Sequence, residues 1–200
     1  MPTLKPGYQL ILDNVAKHIQ LEKKEIEYFI AILQHKKIRK RQYLLQAGDI
    51  CRYEHFVIKG CLRAYYVDEN GFDYIVQFAV EDWWTGDMAS FLTGTPATLN
   101  IDALEDSEVL MIEKKDIDEL FVKVPKFERF FRILMQNAFV AQQQRILLNL
   151  SKTADERYLL FRQKYPLLEK RLPQHQIASY LGITPEFLSK IRKNLSKKKK

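Results

Sequence analysis

The spacing of hydrophobic residues changes twice along the chain. Between residues 8 and 33, apolar residues fall on one face of a helix, as at positions 26, 29, 30 and 33. From residue 38 to 113 they form short segments that are rich in β-branched and aromatic side chains and are separated by turn signals. Helical spacing returns from residue 114 onwards. The pattern therefore predicts a β-rich unit with helices on both sides.

The central stretch carries the signals of a β-sandwich. Five of the seven glycines lie between residues 48 and 94, which places the tight turns there. The pair Asn70-Gly71 is a strong hairpin signal between two apolar segments. Many short strands at spacings of about ten residues are typical of a sandwich or a jelly roll.

A long helix is predicted after Pro125, which suits a first helical turn. Its residues follow a 4-3 spacing over about 25 positions, as in the seam of a coiled coil. One interpretation is a helix that packs against its own domain. We favour a dimer helix, with a seam formed by Phe127, Phe131, Leu134, Ala138, Ala141, Arg145 and Leu148.

The last fifty residues contain a helix-turn-helix pattern. Ile177 and Leu181 are four residues apart and predict the buried face of its first helix. Gly182 predicts the left-handed conformation that ends this helix, and Thr184 predicts the N-cap of the second one. A capping box over residues 153–156 predicts a further helix upstream.

The remaining positions of the second helix face outward, as in a recognition helix that enters the major groove. Glu186 can accept a hydrogen bond from a cytosine amino group, and Lys190 can donate one to guanine. Basic side chains and the start of the first helix would contact phosphates. The residues predicted to contact DNA are Gln174, His175, Thr184, Pro185, Glu186, Ser189, Lys190, Arg192 and Lys193.

The distribution of charge supports a polyanionic partner. The chain has a net charge of +7, but residues 1–150 carry 19 basic and 21 acidic residues, whereas residues 151–200 carry 13 and 4.

No apolar run reaches the roughly 18 residues of a membrane helix, and no signal-peptide pattern is present, so we expect a cytoplasmic protein without a membrane partner. No catalytic triad, P-loop or metal-ligand cluster stands out, so we expect no enzyme, no catalytic residues and no metal.

The sequence resembles the Crp/Fnr family of bacterial transcription regulators over nearly its whole length. The resemblance is carried by the helix-turn-helix and by Gly48-Asp49, Val57-Ile-Lys-Gly60, Leu62-Arg63 and Gly86-Asp87-Met88. It implies a homodimer that binds palindromic double-stranded DNA and contacts RNA polymerase.

The resemblance also implies an α+β fold class with three parts. Residues 1–124 would form a jelly-roll β-sandwich of the cyclic-nucleotide-binding type with flanking helices. Residues 125–150 would form the dimerisation helix, and residues 151–200 the helix-turn-helix DNA-binding domain. The family's wing follows the recognition helix, but residues 194–200 are too few for two strands, so the wing is predicted to be short or absent. The lysine run 197–200 would be a basic tail or would replace the wing's contacts.

The family's ligand cassette is only partly present. The resemblance implies that Asp87 would bond a ribose hydroxyl and that backbone amides around Met88 and Ala89 would meet a cyclic phosphate. Ala97 stands where an arginine is expected, and residues 64–113 contain no Lys or Arg. We therefore predict weak or no binding of cyclic AMP. The candidate ligand residues are Gly86, Asp87, Met88, Ala89, Ala97 and Thr98.

Other sensing chemistry has little support in the sequence. Cys51 and Cys61 are too few to hold an iron–sulfur cluster, so we expect buried structural thiols and no cofactor. Three aromatic residues, Trp83, Trp84 and Phe91, either line a ligand pocket or, as we favour, belong to the β-sandwich core. The effector stays unidentified, and the alternative function is a small-molecule receptor whose C-terminal helices contact a protein.

Overall fold

A computed structural model describes residues 7–197 and divides the chain into two compact units. The first consists of the residues up to Tyr66 together with Gln77–Asn137. The second consists of Val67–Val76 and the residues from Ala138 onwards. The predicted division at residues 124 and 150 differs from this one, because the contacts split the long helix between the two units.

The β-rich stretch forms two antiparallel sheets, which confirms the predicted sandwich. The strands are β1 (Gln34–Ile38), β2 (Tyr43–Leu45), β3 (Tyr53–Lys59), β4 (Leu62–Val67), β5 (Asp73–Ala79), β6 (Trp84–Thr85), β7 (Asn100–Ala103) and β8 (Ser107–Glu113). One sheet has the order β1-β8-β3-β6 and the other the order β2-β7-β4-β5. The pairs β1–β8, β3–β8 and β4–β7 are antiparallel.

The core of the first unit lies where apolar side chains from both sheets meet. Phe56 of β3 and Ile101 of β7 are fully buried in one cluster, together with Leu110 and Ile112 of β8. Trp84 packs on Phe56, with a ring-centroid distance of 5.2 Å. Phe91, also in this cluster, is 6% exposed. Trp84 and Phe91 thus contribute to the core, as favoured from the sequence.

Four helices flank the sandwich in the described part of this unit. They are α1 (Tyr8–Ala16), α2 (Lys23–Ala31), α3 (Met88–Thr93) and α4 (Lys114–Lys123). A capping box between Glu22 and Glu25 begins α2. Its buried residue Phe29 packs on Phe127, with a ring-centroid distance of 4.6 Å. The helical face predicted from the sequence is therefore the face that covers the core.

The long helix α5 (Lys126–Ser151) contradicts the predicted seam at its first position. Phe127 is completely buried in the core of the first unit, so it is not available to a second copy. Phe131 and Leu134 pack against the same core and are half-buried. Of the other seam positions, Ala138 and Ala141 are exposed, Leu148 is half-buried, and Arg145 donates hydrogen bonds to backbone carbonyls.

A different face of α5 is both apolar and exposed. Within the second unit, Phe139 is 70% exposed, Ile146 58% and Leu150 81%. Spacings of seven and four residues place these three side chains on one side of the helix. That side lies roughly 140° around the helix axis from the predicted seam, at 100° per residue.

The rest of the second unit is helical in the part that the structure describes. Its helices are α6 (Ala154–Lys164), α7 (Pro166–Arg171), α8 (Gln174–Leu181) and α9 (Pro185–Lys197). Thr153 and Glu156 form the predicted capping box at the start of α6. Helix α9 runs to Lys197, the last described residue, and Lys198, Lys199 and Lys200 of the predicted basic tail lie outside the described residues. Among residues 7–197, no helix is long and apolar enough to cross a membrane.

Candidate functional site

The turn between α8 and α9 has the local conformation that the sequence predicts. Gly182 has φ 66° and ψ 38°, in the left-handed region, and ends α8. The N–H of Ile183 donates to the carbonyl of Ala178 at 3.0 Å, which closes the last turn. Thr184 begins α9, because its Oγ1 accepts a hydrogen bond from the N–H of Phe187 at 3.2 Å.

Packing in the helix pair leaves one face of α9 free. Ile177, Ala178 and Leu181 of α8 are buried, as are Leu188 and Ile191 of α9. Since Leu188 and Ile191 hold α9 from one side, the opposite side faces outward. Most of the predicted DNA-contact residues are exposed; Arg192 is half-buried, and the exposed set is Gln174, His175, Thr184, Pro185, Glu186, Ser189, Lys190 and Lys193.

The outward face of α9 is positively charged. Lys190 and Lys193 form no ion pair with any described residue. Glu186 is the acidic residue in the first turn of α9. Phe187, to which the sequence analysis assigned no role, is 44% exposed. It lies four residues before Ile191, so it borders the buried side of α9 and does not belong to the outward face.

In the predicted ligand cassette, the acidic residue is already hydrogen-bonded to donors of the chain. Asp87 is the N-cap of α3, and its Oδ1 accepts a hydrogen bond from the N–H of Ser90 at 3.1 Å. Its Oδ2 accepts from the N–H groups of Thr98 at 2.9 Å and Leu99 at 3.1 Å, and from the Thr98 hydroxyl at 3.4 Å. With Asp87 only 2% exposed, its carboxylate is saturated by donors of the chain itself.

The other cassette residues have mixed exposure. Ala97 is 5% exposed, and its N–H donates to the carbonyl of Asp49 at 2.7 Å. Gly86 and Met88 are half-buried, whereas Ala89 and Thr98 are exposed. The structure thus brings Asp87, Thr98 and α3 together, and the amides of Ser90, Thr98 and Leu99 already hold the carboxylate of Asp87.

A buried acid, Glu54, lies behind the cassette and was missed from the sequence. Its side chain touches Gly86 so closely that a Cβ at that glycine would lie 2.3 Å from Oε1. Oε1 is buried and has no hydrogen-bond partner among the described residues. Burial, with a smaller contribution from the negative charge of Asp87, raises the pKa of Glu54 to about 8. An acid within an apolar strand segment was the available signal.

Both cysteines are buried and free, as expected for structural thiols. Burial raises the pKa of the Cys51 thiol to about 11, so the reactive thiolate is disfavoured. Among the described residues, no cluster of His, Cys, Asp or Glu is arranged to hold a metal ion.

Comparison with known proteins identifies the family. A family model for the cyclic nucleotide-binding domain matches residues 35–123. The fumarate and nitrate reduction regulatory protein of Vibrio cholerae is 31% identical over 185 residues, which cover 86% of this chain and 72% of that protein. The chain belongs to the Crp/Fnr family. Crp/Fnr relatives named in this comparison are regulatory proteins.

Solved Crp/Fnr-like structures share the fold. The global regulator CLP of Xanthomonas campestris, whose description calls it responsive to c-di-GMP, aligns with a TM-score of 0.73 and 14% identity over 88% of this chain and 93% of that one. FixK2 of Bradyrhizobium japonicum aligns with a TM-score of 0.72 and 18% identity over 84% and 86%. At such identities the likeness shows the fold alone.

Proposed function

We propose that this Crp/Fnr protein is a homodimeric, sequence-specific DNA-binding regulator of transcription. The observation that carries the proposal is the outward face of α9, which is exposed, basic and held from behind by Leu188 and Ile191. A helix held in this way can enter the major groove with its N-terminal residues at the base edges.

The side chains on this face suit direct reading of bases. Glu186 can accept from the cytosine amino group, and Lys190 can donate to guanine O6 and N7. Lys193 and Arg192 lie further along α9, where their charges would neutralise phosphates, and Gln174 and His175 would contact the backbone from the start of α8.

Substitution of Lys190 tests direct reading of bases. The operator is first selected from a random duplex pool, and affinity is then measured by fluorescence anisotropy at two salt concentrations. We expect Lys190→Ala to weaken binding to the selected operator by roughly tenfold to a hundredfold, and binding to unrelated duplexes much less. A steep salt dependence is expected for the unmodified protein.

Lys193→Ala provides the matched control, because it removes the same charge from the same helix. It should weaken binding to all duplexes alike and reduce the salt slope by about one. An absence of binding to any duplex at low salt would contradict DNA recognition and favour the alternative in which the C-terminal helices contact a protein.

The second copy is proposed to pair along the exposed apolar face of α5. Phe139, Ile146 and Leu150 would form the seam, with Val140 and Leu147 beside it, since all five are exposed in the single chain. A two-fold axis along α5 would place two recognition helices at half-sites about 34 Å apart, one turn of DNA.

We infer that the β-sandwich does not bind cyclic nucleotides tightly. An arginine–phosphate pair contributes roughly 1.5–3 kcal/mol, and Ala97 cannot supply it. The carboxylate of Asp87 already accepts four hydrogen bonds from the chain, so it has little capacity left to accept one from a ribose hydroxyl.

Calorimetry with cyclic AMP and cyclic GMP checks this inference. We expect no saturable heat at ligand concentrations up to about 1 mM, which corresponds to a binding free energy weaker than roughly −4 kcal/mol. Micromolar binding to the unmodified protein that disappears in Thr98→Val would show that the cassette opens for a cyclic phosphate.

A further inference from the structure

A cleft of about 250 Å³ lies in the second unit, next to the turn of the helix-turn-helix. Its walls come from α5, α6 and α8 and from the segment Val67–Val76, all of which belong to this unit. Two arginines, Arg145 and Arg157, line the cleft together with neutral residues, and none of the residues that line it is acidic. None of the functions proposed above uses this cleft.

Arg145 is a buried cation with neutral partners. Its Nη2 donates to the carbonyls of Ile75 at 2.7 Å and Tyr180 at 3.0 Å, and its Nη1 donates to the carbonyl of Val76. The guanidinium lies 4.2 Å from the centre of the Tyr180 ring. No described carboxylate pairs with it, and burial lowers the pKa of Arg145. Its positive charge is therefore held in place but not neutralised.

Arg157 is the second cation and has unused donors. Its Nη1 donates to the carbonyl of Asn149 at 3.3 Å and its Nη2 to the carbonyl of Leu181 at 3.1 Å. Its Nε is buried and has no hydrogen-bond partner among the described residues. A guanidinium has five N–H donors, so the two bonds leave capacity for a further acceptor. Again the partners are carbonyls, which carry no net charge.

We propose that this cleft is a binding site for a small dianion, either a phosphorylated or a dicarboxylate metabolite. Two guanidiniums, each fixed by backbone carbonyls, suit the oxygen atoms of phosphate or carboxylate groups. Asn149 also lines the cleft, and its side-chain amide can add a neutral hydrogen bond. The volume lies below the roughly 300–1,000 Å³ of pockets for drug-sized ligands, which limits the ligand to a small metabolite.

The test measures thermal unfolding of the full chain without DNA. Phosphate, pyrophosphate and succinate are titrated separately at constant ionic strength. We expect at least one of them to raise the Tm saturably, by roughly 3–5 °C at ten times its Kd. Asn149→Asp, which places a carboxylate of the chain beside the two arginines, should raise the Tm without ligand and abolish the ligand shift. Arg157→Gln should reduce the ligand shift.

Arg132→Gln is the matched control, because Arg132 is an exposed arginine of α5 outside the cleft. It should leave the ligand shift unchanged. The proposal is overturned if none of the three anions gives a saturable shift, or if Asn149→Asp and Arg157→Gln respond like the unmodified protein. Loss of DNA affinity in Arg157→Gln without any free-anion shift would assign the cleft to DNA phosphates and also overturn it. Since the titration uses no DNA, its failure leaves the proposed function untouched.

Discussion

The Ile146→Asp variant is expected to be monomeric and to lose roughly a hundredfold or more in affinity for its operator. Ile146 is 58% exposed in the single chain and lies on one side of α5 with Phe139 and Leu150. A carboxylate at the centre of an apolar interface would lose its hydration without gaining a partner. Without the dimer, each half-site is bound separately, and the gain of 10²- to 10⁴-fold from joining two sites disappears.

Light scattering after gel filtration and anisotropy on a two-half-site duplex measure the two effects. Gln144→Asp is the matched control, since Gln144 is exposed on a different side of the same helix and the charge change is equal. It should stay dimeric and keep its operator affinity. A dimer in Ile146→Asp would place the interface elsewhere, and equal losses in both variants would indicate simple repulsion between the new carboxylate and DNA.

The helix-turn-helix could be predicted residue by residue because its signals are local. Gly182 ends a helix through its own backbone preference, and Thr184 caps the next one three residues before its partner N–H. Leu188 and Ile191 then settle which side of α9 is buried. None of these inferences depends on a distant part of the chain.

The dimer seam could not be predicted from local sequence patterns alone. A 4-3 spacing tells which residues share a side of a helix, but not what covers that side. Phe127 and Phe131 share a side with Arg145, and in the folded chain that side meets the core in its first turns. The exposed apolar residues on the other side were equally visible in the sequence, but their lack of a partner became apparent only from the fold.

Only part of the ligand cassette could be predicted from the sequence, for the same reason. The missing arginine at Ala97 is a sequence fact, and it already argued against a cyclic phosphate. That Asp87 accepts hydrogen bonds from Thr98 and Leu99 depends on a contact across eleven and twelve residues. The burial of Glu54 against Gly86 depends on strand pairing, so the sequence could mark Glu54 only as an acid within an apolar strand segment.

Glu54→Gln is expected to stabilise the protein, and increasingly so as the pH rises. Burial raises the pKa of Glu54 to about 8, whereas a glutamate in the unfolded chain titrates near 4. The folded state therefore holds a proton that the unfolded chain has released at pH 7. The contribution of Glu54 to the free energy of unfolding is therefore fully present below about pH 4 and is lost as the pH rises through about 8. At neutral pH this loss is on the order of 3 kcal/mol.

Glutamine keeps the shape of the protonated acid but has no proton to lose, so the variant escapes this cost. We expect its Tm to exceed that of the unmodified protein by roughly 9–18 °C at pH 8, where the cost has grown to about 4.5 kcal/mol, and by little at pH 4.5. His55 is also buried, and burial lowers its pKa to about 4, so both proteins should lose stability together on the acid side. Glu69→Gln, at an exposed acid, should change the Tm little at any pH. A Tm difference for Glu54→Gln that does not grow between pH 5 and pH 8 would mean that Glu54 is ionised in the folded protein, and its unpartnered oxygen would then need a cation or a donor from elsewhere.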